Sequence, residues 1–220
     1  MLEMYASIGE MLDLKGFDRM IAIIDYDAGN LKSVEKALVS LGEDCIVTRD
    51  AETILGADKV ILPGVGAFGD AMEKLHRFGL VEVIRKVAAA GTPFLGICLG
   101  LQLLFRSSDE SPGVEGIGLL DGEIVSIPPK EGYKIPHMGW NSIEIKEGAG
   151  LFRGIENQSY VYFVHSYYLK ADHPEDVAAT TDYIVPIHAS VEHGNVFACQ
   201  FHPEKSGDVG LQILRNFCDL

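Results

Sequence analysis

Short apolar runs alternate with amphipathic segments over the first half of the chain. Each apolar run is four to six residues long, as expected for a buried strand, and each amphipathic segment has the apolar spacing of a helix. Gly29 is expected to turn the chain and Asn30 to cap the first helix. This alternation predicts a mostly parallel central sheet with helices on both faces. The predicted strands are 20–25, 44–48, 59–62 and 93–97, and the predicted helices are 31–41, 70–77, 80–90 and 99–106.

The pattern changes beyond residue 118. Strand-like runs follow one another there without intervening helices, which predicts an added region of antiparallel strands. A tight turn at 193–195 would join the last two runs as a hairpin and deliver the chain to His202. A helix at 209–217 would close the fold. The predicted strands in this half are 123–127, 141–146, 159–164, 177–181, 187–192 and 196–201.

Length and composition narrow the functional class. We expect one α/β domain over residues 20–220, with residues 1–19 as a leader that is appended, mis-started or a short amphipathic helix. The net charge of -14 argues against nucleic-acid and membrane partners, because both are anionic. The four cysteines show no paired spacing, no apolar run would span a bilayer, and the leader is acidic where a secretory signal is basic. These features favour the cytoplasm.

Cys98 carries the sharpest local signal. It is flanked by Gly96 and Gly100 in a G-x-C-x-G sequence between a predicted strand and a predicted helix, the pattern of a nucleophile elbow. A helix that begins at Leu99 favours the thiolate and offers a backbone N–H to an oxyanion. The alternative is that Cys98 is a small apolar core residue, which is the commoner role of cysteine. The paired glycines favour the catalytic interpretation.

His202 and Glu204 are candidate partners for the thiol. In an extended segment, side chains two residues apart share a face, and Pro203 would stiffen the link between them. Glu204 would hold the tautomer of His202, which would then move protons between the thiol and a leaving amine. The alternative is a turn after a strand with a solvated glutamate.

A glycine-rich loop follows the third predicted strand. Gly64, Val65 and Gly66 permit a backbone conformation in which a peptide N–H faces the elbow and completes an oxyanion hole. Phosphate binding is the alternative, but the loop lacks the G-x-x-x-x-G-K-[ST] spacing. The sequence has no cluster of metal-ligand spacing, so we predict neither a metal nor a cofactor.

Segments 63–66, 96–102 and 201–204 resemble the class I, triad-type glutamine amidotransferases, and the order Cys, His, Glu agrees. Within that family, segments 25–30, 136–141 and 162–167, together with Lys205, resemble the glutaminase subunits of imidazole glycerol phosphate synthase. The resemblance extends from Met20 to the end of the chain. The leader is a departure from the family.

The resemblance implies a role for each matching residue. It implies a catalytic triad, an oxyanion hole, glutamine contacts and an interface with a (β/α)8-barrel cyclase subunit in a heterodimer. That partner would receive ammonia and form imidazole glycerol phosphate in histidine biosynthesis. The implied residues are Cys98, His202 and Glu204 for the triad; Gly64, Val65, Gly66 and Leu99 for the oxyanion hole; Gln102, His165, Ser166 and Tyr167 for glutamine; and Asn30, Trp140, Tyr162 and Lys205 for the interface.

Two other functions stay open on the residues alone. The chain could be a glutaminase for another synthase, such as one that makes pyridoxal phosphate, or a non-catalytic scaffold subunit on the same fold. Trp140 and Tyr162 could likewise be ordinary core or rim aromatics, and Lys205 a solvated charge.

Overall fold

The computed structural model describes residues 20–220, so the predicted leader lies outside the described part. Strands and helices alternate in the first half, as the pattern predicts. The strands are β1 (Ile21–Ile24), β2 (Cys45–Thr48), β3 (Lys59–Gly64) and β4 (Phe94–Cys98). The helices are α1 (Leu31–Ser40), α2 (Ala51–Leu55), α3 (Phe68–Arg77), α4 (Leu80–Ala89) and α5 (Leu99–Leu103).

The second half is built from short strands and closes with one helix. The strands are β5 (Ser107–Ser108), β6 (Gly122–Ser126), β7 (His137–Ser142), β8 (Glu144–Ile145), β9 (Tyr160–His165), β10 (Tyr167–Ala171), β11 (Val177–Tyr183), β12 (Val185–His193) and β13 (Val196–Cys199). The helix is α6 (Gly207–Cys218).

In residues 20–220, eleven strands form one mixed sheet, in the order β2-β1-β3-β4-β13-β12-β10-β6-β5, with β11 paired to β12 and β8 paired to β11. Strands β1 to β4 pair in parallel, and β13 adds to β4 in parallel while pairing antiparallel with β12. The α/β class and the antiparallel addition are therefore confirmed. Strands β7 and β9 form a separate antiparallel sheet.

Side chains alternate across the parallel strands and fill two apolar layers. Ala22 and Ile24 of β1 pack in the layer that holds residues of α2 to α5. Ile21 and Ile23 point the other way, into the layer that holds residues of α1 and α6. This alternation places helices on both faces of the sheet.

Several predicted elements were wrong in detail. The run 141–146 is not one strand, because it divides between β7 and β8, which lie in different sheets. Helix α5 ends at Leu103 instead of 106, since the carbonyls of Leu103 and Leu104 accept backbone N–H groups from residues 117 and 119. Strands β5 and β10 and helix α2 were not predicted. The signal for α2 was Asp50, whose carboxylate accepts from the backbone N–H of Thr53 at 2.8 Å.

The chain turn before α1 also differs from the prediction. Asp27 and Asn30, not Gly29, have positive φ, of 61° and 74°. The Asn30 side chain makes no capping hydrogen bond to α1.

The sheet order brings three strand ends to one edge. Gly64 at the end of β3 pairs with Cys98 at the end of β4, and Cys199 at the end of β13 pairs with Ile97. Ligand sites of open α/β sheets form at this carboxyl edge. Among residues 20–220, no helix combines the length and the apolar character that crossing a membrane requires.

Candidate active site

Cys98 lies on the sharp turn predicted between β4 and α5. Its backbone is strained, with φ 55° and ψ -107°, and its side chain is buried. Both flanking positions need glycine because neighbouring backbone lies too close for a side chain. A Cβ on Gly100 would overlap with the Leu62 carbonyl, and one on Gly96 would lie 2.8 Å from the Gly100 carbonyl oxygen. The chain therefore holds the sulfur at the carboxyl edge of the sheet.

His202 and Glu204 form a buried pair beside this turn. His202 Nδ1 lies 2.7 Å from Glu204 Oε1, and neither side chain is exposed to solvent. A carboxylate only accepts here, so Nδ1 carries the proton and Nε2 is left for the thiol. The predicted reason was wrong, since residues Pro203–Lys205 form a 3₁₀ turn and are not extended. The turn nonetheless brings the two side chains together.

The pKa of His202 is raised and that of Glu204 is lowered in the folded chain. Burial lowers the pKa of His202, but its interactions with Cys98 and with Glu204 outweigh burial and raise it to about 9. Burial raises the pKa of Glu204, and the hydrogen bond and charge of His202 outweigh it and lower the pKa. Among residues 20–220, His202 Nε2 has no hydrogen-bond partner. Cys98 and His202 line the same cavity, and the thiol helps to raise the pKa of the imidazole.

A cavity of about 420 Å³ opens above these residues, a size that suits a small molecule. It brings together most of the residues predicted for the site. Its lining consists of Val65, Gly66, Cys98, Leu99, Gln102, Glu110, Pro136, Val164, His165, Ser166, Tyr167 and His202.

Gly64 does not line the cavity. It lies at the end of β3 against the buried ring of Tyr26, and a Cβ at Gly64 would overlap with Tyr26 Oη. Of the three loop residues predicted for the oxyanion hole, Val65 and Gly66 reach the cavity, and Gly66 has a φ of 109° that favours glycine.

Gln200 is a site residue that the sequence analysis missed. Its buried side chain donates to Cys98 Sγ at 3.7 Å and accepts from Gln102 Nε2 at 3.0 Å. Gln102 also donates to the Tyr167 carbonyl at 3.2 Å. The available signal was spacing, since Gln200 lies two residues before His202. Gln200 therefore links the nucleophile to the wall of the cavity.

The residues predicted for the partner interface lie outside the cavity. Trp140 is 55% exposed, packs edge-on against Tyr162 at 6.2 Å between ring centroids, and has the 62%-exposed Met138 two residues before it on β7. Lys205 is exposed next to the buried pair. Asn30 faces inward instead, because its Nδ2 donates to Glu204 Oε1 at 2.6 Å.

Within the described range 20–220, no group of three or more His, Cys, Asp or Glu side chains is arranged to hold a metal ion.

The chain matches the family model "Glutamine amidotransferase class-I" over residues 22–220. It is 50% identical over 201 residues to "Imidazole glycerol phosphate synthase subunit HisH" of Caldanaerobacter subterraneus, covering 91% of this chain and 98% of that protein. It is 54% identical over 199 residues to the protein of the same name in Bacillus cereus, covering 90% and 93%.

Solved structures share the fold at lower identity. A structure described as a glutamine amidotransferase superposes with a TM-score of 0.71 at 20% identity, covering 90% of this chain and 97% of that one. A chain from the structure of PurLQS of Thermotoga maritima superposes with a TM-score of 0.69 at 20% identity, covering 91% and 98%. By its family match and its relatives, the chain belongs to the class I glutamine amidotransferases and, among them, to the HisH subunits of imidazole glycerol phosphate synthase.

Proposed function

We propose that the chain hydrolyses glutamine to glutamate and ammonia through a thioester at Cys98. The observation that carries this proposal is the line of buried groups from the strained Cys98 turn through His202 to Glu204, at the floor of a cavity sized for a small molecule. These are the parts that a thiol nucleophile and its general acid–base partner require.

In the first step, Cys98 reacts as the thiolate, with its proton already on His202. Its Sγ bonds to the side-chain amide carbon of glutamine and the carbon–nitrogen bond breaks. His202 donates its Nε2 proton to the leaving nitrogen, which departs as ammonia. A pKa of about 9 keeps His202 protonated at neutral pH, as this donation requires. Water then attacks the thioester carbonyl and gives a proton to His202. The carbon–sulfur bond breaks, glutamate leaves, and the Cys98 thiolate and the protonated His202 are restored.

The remaining cavity residues have roles that match their positions. The backbone N–H groups of Leu99 and of the Val65 to Gly66 loop would stabilise the oxyanion. Gln102 and the segment 165–167 would hold glutamine. Gln102 is itself held by Gln200 and by the Tyr167 carbonyl, so it is set in place before substrate arrives.

We further infer that ammonia passes to a (β/α)8-barrel cyclase subunit that docks beside this edge of the sheet. The exposed strip of Met138, Trp140 and Tyr160 on the β7–β9 sheet supports a docking role, because exposed aromatic residues are typical of interface centres. Tyr162 packs against Trp140 of this strip, and the exposed Lys205 precedes Ser206, whose hydroxyl accepts from the Tyr162 backbone N–H. The free cysteines support a reducing compartment and hence the cytoplasm.

Both alternatives have less support. The named relatives match the chain over nearly its whole described length, which favours this synthase over another one. A scaffold subunit would not need a strained, buried cysteine beside a buried His–Glu pair.

The test is the glutaminase rate of the Cys98→Ala chain assembled with its cyclase subunit and a ribotide ligand. We expect loss of glutamate and ammonia release, whereas Cys45→Ala, a half-buried thiol on edge strand β2, should keep the wild-type rate. Turnover by Cys98→Ala at the wild-type rate would refute the proposal. Omitting the cyclase from the wild-type assay then shows how far activity depends on the partner.

A further inference from the structure

Two buried histidines meet at the wall of the cavity. His137 opens β7 and His165 ends β9, and the two residues are paired across these strands. His137 Nδ1 lies 3.0 Å from His165 Nε2, and both side chains are almost fully buried. His165 lines the cavity, whereas His137 lies behind it.

The hydrogen-bond partners of the two rings show which nitrogen of each histidine carries the proton. His165 Nδ1 lies 2.9 Å from the Tyr167 carbonyl oxygen, which only accepts, so Nδ1 is the protonated nitrogen. His165 Nε2 is then the acceptor in its contact with His137, and His137 Nδ1 must donate. Burial supports two neutral rings, because it lowers the pKa of His137 to about 4 and that of His165 to about 3.

Asn141 fixes the far end of the chain of hydrogen bonds. Its Oδ1 accepts from the Ser142 backbone N–H at 2.9 Å, and its Nδ2 donates to the Asp182 carbonyl at 3.0 Å. This sets the orientation of the amide, since the flipped orientation would face two acceptors against each other. The second hydrogen of Nδ2 then points to His137 Nε2 at 3.4 Å. All the bonds run in one direction, from Asn141 to the Tyr167 carbonyl.

The arrangement has a consequence for the cavity. Both ring nitrogens of His165 are used, so neither is free to bind glutamine. The titratable groups beside His165 include His202 and His137. A neutral His165 keeps a second positive charge away from the protonated His202, where like charges would repel.

We propose that His137 and Asn141 are positioning residues of the glutaminase, which hold His165 as the neutral Nδ1–H tautomer and thereby fix the cavity segment 165–167. This inference rests on the proposed function for its kinetic consequence. The tautomer itself does not depend on that function.

Two substitutions of His137 separate the hydrogen bond from the packing. The His137 ring stacks on Tyr183 at 4.0 Å and on Phe163 at 4.8 Å between centroids. His137→Phe keeps an aromatic ring for these stacks but has no donor for His165. His137→Asn loses the ring but places an amide N–H close to the position of Nδ1.

The experiment measures kcat and KM for glutamine in the assembled complex and the ring ¹⁵N shifts of histidine-labelled protein at neutral pH. We expect His165 to show a protonated Nδ1 and an unprotonated Nε2 in the wild type. His137→Phe should raise KM about tenfold, because a buried acceptor loses its donor. His137→Asn should stay within about threefold of wild type, because the donor is kept.

The reverse order, with His137→Asn the more impaired, would show that packing alone matters and would overturn the proposal. Equal KM values in both variants and wild type, or a protonated Nε2 on His165, would also overturn it. If the wild-type complex releases no glutamate that depends on Cys98, the proposed function fails, and the ¹⁵N shifts still decide the tautomer. Those shifts decide it as well if His137→Phe does not fold.

Discussion

Asn30 Nδ2 donates a hydrogen bond to Glu204 Oε1 at 2.6 Å, across 174 positions of the chain. The same oxygen accepts from His202 Nδ1 at 2.7 Å. Asn30 reaches it from a left-handed backbone conformation with φ 74° that asparagine tolerates better than most residues. A residue predicted as a helix cap and interface contact therefore orients the carboxylate of the candidate triad.

Loss of this bond should slow catalysis. Asn30→Gly keeps the backbone conformation and removes the amide, and a bond to a charged group is worth about 1.5–3 kcal/mol. We expect kcat/KM for glutamine in the complex to fall at least about tenfold. Gln158→Gly, at an exposed position with φ 66°, is the matched control and should have no effect. A wild-type kcat/KM for Asn30→Gly would show that Glu204 needs no second donor.

The His202–Glu204 pair predicts a pH dependence of stability. The pKa of His202 is raised from 6.5 to about 9, so its contribution is complete below 6.5 and is lost as pH rises through 9. The pKa of Glu204 is lowered from 4.5, so its contribution is present above 4.5 and is lost on acidification. Between these limits, at pH 4.5–6.5, the pair stabilises the fold most.

Urea unfolding of wild type and Glu204→Gln at several pH values measures this window. The difference in free energy of unfolding should be largest at pH 4.5–6.5 and should shrink as pH rises towards 9. The exposed carboxylate of Glu144 provides the control, because Glu144→Gln should give a small difference that changes little with pH. A pH-independent difference for Glu204→Gln would contradict the ion pair.

The contact of Gly64 with Tyr26 predicts a suppressor mutation. Gly64→Ala would overlap with Tyr26 Oη and should destabilise the fold by about 1–3 kcal/mol. Tyr26→Phe removes that oxygen, which is buried and has no hydrogen-bond partner among the described residues, so by itself it should be neutral or stabilising. The double variant should recover most of the lost stability in thermal unfolding. If the changes in stability of the two single variants simply add in the double variant, the overlap with Tyr26 Oη is not what destabilises Gly64→Ala.

The exposed aromatic strip predicts the effect of mutations on assembly. Trp140→Ala should weaken binding to the cyclase subunit by about 2 kcal/mol or more, roughly a thirtyfold rise in Kd by calorimetry. Leu55→Ala is the control, because Leu55 is also exposed, at 44%. It ends α2 shortly before β3 begins, so it lies near the amino ends of the parallel strands, opposite the carboxyl edge. Equal Kd values for the two variants would argue against docking at this strip.

Most of the parallel half of the fold follows from local patterns, because its strands are short apolar runs and its longer helices have a helical apolar spacing. The five-residue helix α2 is too short to show that spacing. The division of run 141–146 between β7 and β8 could not be predicted locally. One strand-like run contributes to two sheets, and no glycine or proline in it marks where the chain passes from one sheet to the other. The strained turn at Cys98 was predictable from its glycines. The contacts of Gln200, Asn30 and His137 were not, because they join residues that are distant in the chain.

Alkylation of the assembled complex by a diazoketone analogue of glutamine tests the central claim, that Cys98 is the nucleophile. Peptide mass spectrometry should find a single label, on Cys98, with glutaminase activity lost in proportion and glutamine protecting the site. Complete labelling of Cys98 with turnover unchanged, or labelling of Cys45, Cys199 or Cys218 in its place, would contradict the account.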